Sequence, residues 1–172
     1  MAGSVAIEFV GAKAIEKALN NNDFAQKAFT SFIRDLADDV ERRATIKAPT
    51  GVAGALRNSI TKDRRELSKH VVSVGSNLRY AKPVEFGSRP HWPPRGSLAR
   101  WAQLKLGATD PMRADFLIRR KISKVGTEAQ PFLNPALDET RRNYFPRRQQ
   151  TLLKDWGDEF VKQVVRNGGL RA

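Results

Sequence analysis

The sequence predicts an α+β fold, a small antiparallel sheet with a long helix packed on it and a helical C-terminal extension. Three observations predict it. Apolar residues recur at helical spacing from Phe24 to Ala44, and again from Leu137 to Val164. Between and before them lie short runs of β-branched residues bounded by turn signals. Sheet and helices each bury one apolar side, so the economical arrangement lays the long helix across the sheet.

Residues 4 to 10 (SVAIEFV) mix β-branched and aromatic side chains in rough alternation and predict a short strand ending at Gly11. A short helix-like run, Ala14 to Leu19, closes in three asparagines, after which Asp23 is placed to cap the next helix. Phe24, Ala28, Phe32, Leu36, Val40 and Ala44, joined by Phe29, Ile33 and Ala37, give that helix one apolar stripe over about six turns. Pro49 and Gly51 end it. Leu56 to Lys62 and Val71 to Val74 predict an antiparallel hairpin around the charged KDRRELSKH turn. Tyr80 to Phe86 predicts a helical turn or two interrupted by Pro83 and ended by Gly87, and Ser88 to Gly96, with three prolines, an extended loop.

Ser97 to Leu106 and Met112 to Val125 predict two short helices, the second burying Phe116, Leu117, Ile118 and Ile122 and exposing Arg119, Arg120, Lys121 and Lys124. Pro135 suits the start of the last helical region, and Pro146 is expected to kink or split it. Leu137, Tyr144, Leu152, Trp156, Phe160 and Val164 form its stripe, and Asn167-Gly168-Gly169 a frayed end. The organisation is therefore an α+β core over residues 1–87, a proline-rich loop and helical insertion over 88–130, and a C-terminal helical region over 131–172 that completes the same domain.

A chain of 172 residues is long enough to bury a core. Its 40% hydrophobic and 28% charged content fits a globular protein rather than wholesale disorder. The net charge is +13, and it is uneven: 14 basic and 10 acidic residues up to position 86, then 17 and 8. An anionic partner is expected to dock on the second half. With no cysteine, disulfides and thiolate metal sites are excluded. The N-terminus lacks a basic region followed by a long apolar run, and no stretch approaches 18 apolar residues, so neither secretion nor membrane spanning is expected.

Chemistry-bearing patterns are sparse. No phosphate loop, dinucleotide fingerprint, HExxH or nucleophile elbow is present, and no cofactor is expected. His70 is expected in a polar turn. Asp35, Asp38, Asp39 and Glu41 are grouped as in two-metal sites, but the interleaved Arg34, Arg42 and Arg43 favour a solvated face with i,i+4 pairs. Arg57 is expected as an exposed or interface charge. Trp92, on a proline-stiffened loop, either fills a partner's pocket or folds back on its own domain. Arg119-Arg120-Lys121, Arg141-Arg142 and Arg147-Arg148 would merge into one phosphate-binding patch if the two C-terminal helices lay side by side. Aromatic interleaving is thin there and no reading helix is recognisable, so any nucleic-acid contact is expected to be nonspecific.

Three phrases stand in a fixed order: KAPTGVAGALRNSI (Lys47 to Ile60), YAKPVEFGSRPHWPP (Tyr80 to Pro94) and QPFLNPALDETR (Gln130 to Arg141). Together they resemble the tail-component family of tailed bacteriophages, which includes tail-completion and neck proteins, over roughly residues 5 to 165. The resemblance implies a structural, non-enzymatic virion protein, assembled in the bacterial cytoplasm, that completes the tail or joins it to the head within a homo-oligomeric ring of six or twelve copies. Implied partners are itself and other neck and tail proteins, with nonspecific contact to DNA in the channel. Tyr80, Glu85, Phe86, His91, Trp92, Pro93 and Pro94 are then candidates for the partner interface, with Tyr80, Val84 and Phe86 pinned to the sheet and Glu85 paired to a nearby Arg or Lys. Arg119, Arg120, Lys121, Arg141, Arg142, Arg147 and Arg148 are candidates for DNA or acidic-partner contact. The alternative is a nucleic-acid-binding accessory protein without sequence specificity.

Overall fold

The computed structural model describes residues 5–7, 23–51 and 53–166. The chain runs β1 (Val5–Ile7), α1 (Asp23–Lys47), α2 (Ala55–Ser59), β2 (Ile60–Asp63), a 3₁₀ turn (Leu67–Lys69), β3 (Ser73–Ser76), α3 (Ala81–Phe86), α4 (Ala99–Leu106), α5 (Pro111–Val125), α6 (Leu133–Glu139), a π-helical turn (Thr140–Tyr144) and α7 (Phe145–Arg166). The expected α+β class holds. The expectations for residues 8–22 and for Asn167 to Gly169 fall outside the described residues.

The sheet has the order β1-β3-β2 with both pairings antiparallel, Val74 standing opposite Ile7 on one side and Lys62 on the other. α1 is the centre of the molecule. It packs on β2 and β3 and also along α6 and α7. Phe29, Phe32, Ile33, Leu36 and Val40 are buried along it, each contributing about 1.5–3 kcal/mol of apolar burial. Ala37, Ala44 and Ala48 are fully buried, and their short side chains let neighbouring elements approach closely. Val72, Val74, Leu56 and Ile60 close the core from the sheet side, Phe132, Leu133 and Ala136 from the C-terminal side.

Several local expectations are corrected. Leu56 to Ser59 is a helical turn, not the start of a strand: Gly54 adopts the left-handed conformation at φ 65°, and the Asn58 N–H bonds back to its carbonyl at 3.0 Å. Ala55, Leu56 and Arg57 are good helix formers that favour that turn, and β-branched residues begin only at Ile60. The following strand is Ser73–Ser76 rather than Val71 to Val74, displaced by a reversal at His70, whose φ is 59°. His70 stands in the turn as expected, but its side chain leaves the polar surface. It is buried, stands edge-on to Phe29 at 4.9 Å between centroids, and bonds Gln26 through Nε2 at 2.7 Å. Arg57 is not a free charge either: its Nε donates to the Ala48 carbonyl at 2.7 Å and its guanidinium reaches the Ile46 carbonyl, satisfying the C-terminal end of α1.

The acidic residues of α1 form the expected i,i+4 pair at Asp39 and Arg43, but the others are tied to neighbouring elements rather than forming a purely solvated face. Asp35 pairs with Arg148, and Asp38 and Glu41 both meet Lys62. Asp39 is buried and accepts from Arg42, from Arg43 and from the Thr140 hydroxyl, the last at 2.8 Å. Burial pushes the Asp39 carboxyl up, but the bonds from Arg43, Thr140 and Arg42 outweigh it and hold the group below its ordinary value. The interruption expected at Pro146 takes the form of a π-helical turn between α6 and α7. The Phe145 N–H bonds the Thr140 carbonyl there, which accommodates a ring that cannot donate.

Candidate functional site

Residues 88 to 126 leave the body after α3 and return before α6, so they form an arm with a root. Two glycines make the root possible. Gly87 and Gly126 have φ of 75° and 74°, and a β-carbon would lie 2.7 Å from the Thr127 carbonyl oxygen at the first and 1.9 Å from the Ser88 oxygen at the second. Only bare backbone allows Ser88 and Thr127 to bridge, each N–H donating to the other's carbonyl at 3.0 and 3.2 Å.

Glu85 closes the root from the body side. Its Oε2 accepts the N–H groups of Phe132 and Leu133 at 2.7 and 2.9 Å, and Oε1 accepts that of Asn134 at 2.9 Å. The residue is 2% exposed and caps the positive end of α6, so it does not pair with an Arg or Lys as expected. Its partners lie 47 to 49 positions away, and Phe132, the residue at the cap position, has no side-chain oxygen to offer.

The arm holds its shape through carboxylates. Asp110 caps α5, accepting from the Met112 and Arg113 N–H groups at 3.1 and 3.0 Å, with Pro111 at the first helical position. Asp115, 1% exposed, accepts from the Gly96 and Leu98 N–H groups at 3.0 and 2.9 Å and thereby ties α5 to the start of α4. Burial raises the Asp115 carboxyl, yet those backbone bonds and Arg119 hold it below its ordinary value. The Arg119 Nε donates to the Pro93 carbonyl at 2.8 Å, and its guanidinium lies 5.5 Å from the Trp92 ring centroid. Trp92 also meets Phe116 at 6.4 Å but remains 57% exposed, so it folds back on α5 with one side only. His91 and Pro94 are exposed and Pro93 is buried; Tyr80 and Phe86 are largely exposed, so of the three residues expected to pin this segment only Val84 packs against the core.

The apolar side of α5 is corrected too. Phe116 and Leu117 are 51% and 53% exposed, whereas Asp115 is the buried residue and Ile118 and Ile122 are half-buried. The capping role of Asp115 sets the rotation of the helix and turns its neighbours outward.

The basic clusters do not merge through side-by-side helices, because α5 packs along α4 rather than along α6 or α7. Arg119 is turned inward and Arg148 pairs with Asp35 at 2.6 Å, whereas Arg142 only donates to the Asp138 carbonyl one turn back at 3.3 Å. Arg120, Lys121, Arg141, Arg142 and Arg147 are exposed and outside every ion pair found among the described residues. No group of three or more His, Asp or Glu among the described residues is arranged to hold a metal ion, and none of the described helices is long and apolar enough to cross a membrane.

The described residues thus form an α+β unit that carries a cationic helical arm. Residues 12–87 match the family model described as "Bacteriophage HK97-gp10, putative tail-component". The matched family is one of phage tail components, the kind that the ordered phrases resemble. The match spans α1 to α3 and stops at Gly87, the first residue of the arm's root. The third phrase lies beyond it, yet Phe132, Leu133 and Ala136 of that phrase are in the core. No curated protein and no solved structure matches the chain.

Proposed function

We propose that this chain is a structural virion protein that completes the tail or joins it to the head, acting as one subunit of a homo-oligomeric ring of six or twelve copies. The match over residues 12–87 carries the reading, and the absence from the sequence of nucleotide, nucleophile and metal-protease motifs agrees with it. Mechanism here is assembly. The proline-rich loop and the C-terminal helices bury surface against neighbouring neck and tail proteins, while exposed arginines and lysines face DNA or acidic partners. Its working place is the virion, after assembly in the host cytoplasm. Electron microscopy of particles made with the gene disabled tests this: DNA-filled heads beside unattached or irregular tails are expected, and normal infectious virions would refute it.

The exposed Arg120, Lys121, Arg141 and Arg147 favour a second reading, a nucleic-acid-binding accessory protein without sequence preference. Isolated monomers would then bind duplex DNA with steep salt dependence near physiological ionic strength, measured by fluorescence anisotropy; absence of binding there removes this reading.

A further inference from the structure

We infer that the arm formed by α4 and α5 is a docking surface for an acidic, apolar-faced segment of another protein. Between Ser88 and Gly126 the chain carries nine Lys and Arg against two Asp, so this stretch holds +7 of the total +13. Both aspartates are engaged inside the arm, Asp110 on the start of α5 and Asp115 on the backbone leading into α4. The surface is therefore left cationic without local compensation. On α5 the exposed Arg113, Arg120 and Lys124 recur at i, i+7 and i+11, on the side opposite the half-buried Ile122 and the buried Asp115, with Phe116 and Leu117 flanking that row.

Apolar exposure on the same arm is large. Trp92, Trp101, Leu104, Met112, Phe116 and Leu117 are each between 37% and 57% exposed. Trp92 and Phe116 lie 6.4 Å apart between ring centroids and Met112 stands one turn from Phe116 on α5, so these three exposed side chains adjoin one another, as at an interaction site. The phosphate backbone of a duplex would neutralise the cations but leave these six side chains wet. A second copy fits this arm less well: it also carries +13, its Asp35, Asp38, Asp39, Glu41 and Glu139 are in internal ion pairs, and its exposed Asp138, Asp155 and Asp158 are interspersed with Arg141, Arg142, Arg147 and Lys154, so ring contacts between copies would use other surfaces. A partner presenting carboxylates around an apolar ridge satisfies both features.

The inference rests on the tail-component reading for the source of the partner, and its experiment uses the isolated full chain so that the two can fail separately. The probe is a synthetic helical peptide with Leu at i, i+3, i+4, i+7 spacing and Glu on both flanks, titrated by calorimetry. Micromolar or tighter binding is expected, weakened about tenfold or more by Phe116→Ser with Leu117→Ser and, separately, by Arg113→Gln with Arg120→Gln. All four residues are exposed, so both double variants should fold, which circular dichroism checks. Equal binding of a Lys-flanked version of the peptide, or no binding of the Glu-flanked one, overturns the inference. A duplex of about 20 base pairs binding more tightly, and unaffected by the serine variant, assigns the arm to nucleic acid instead. Self-association in sedimentation that the serine variant abolishes assigns it to a second copy. Mass spectrometry of purified particles decides independently whether the chain is a virion component.

Discussion

Replacing Glu85 by Ala removes the acceptor for three N–H groups, those of Phe132, Leu133 and Asn134, at a site 2% exposed to water. Each buried donor left without a partner costs about 1–3 kcal/mol, and bonds to a charged acceptor lie at the upper end of the range for intact ones. Three such losses, partly offset because the carboxylate no longer has to be desolvated, give a net destabilisation of about 3–5 kcal/mol. Glu85→Gln keeps one carbonyl oxygen and should lose about half as much. Urea unfolding followed by tryptophan fluorescence reads this directly: with a slope of about 2 kcal/mol/M, the alanine variant's midpoint should fall by about 2 M at unchanged slope. A fall below about 0.5 M would refute the claim that Glu85 clamps the start of α6.

Further outcomes follow from the same contacts. Gly126→Ala, which sets a β-carbon against the Ser88 oxygen at a positive φ, should cost about 2–4 kcal/mol and loosen the arm's root, seen as faster amide exchange at Ser88 and Thr127. Arg57→Ala should cost about 1–2 kcal/mol in urea unfolding, because the Ala48 and Ile46 carbonyls lose their donor. The carboxyls of Asp39 and Glu139 are held below their ordinary values and that of Asp63 is lowered to about 2, so each binds a proton more weakly in the fold than in the unfolded chain. Their stabilisation is therefore fully present above the ordinary carboxylate range and lost as pH falls below it, and urea midpoints compared at about pH 5 and pH 2.5 should show the drop. Asp39→Asn should make that pH dependence shallower.

Periodicity revealed what periodicity can encode. The stripe from Phe29 to Ala44 names the buried face of α1, and the glycines and prolines at 49, 51, 87 and 96 mark real chain reversals. What escaped depends on partners distant in sequence. Glu85, Asp115 and Arg57 look like surface charges, and each is instead the acceptor or donor that completes a helix end elsewhere. The strand expected from Leu56 shows the complementary failure: its alternation with Ile60 is compatible with either a strand or a helical turn, and Gly54 decided for the turn. Hydrophobic residues on a helix normally are buried, which points the apolar side of α5 inward; Asp115 holds the inward position instead, leaving Phe116 and Leu117 exposed.

The central claim is that this chain is built into a phage particle. An epitope tag on the chain, detected by gold-labelled antibody on purified particles under the electron microscope, tests it most directly. The account predicts label confined to the tail or its junction with the head, and particles that are intact, infectious and unlabelled would contradict it.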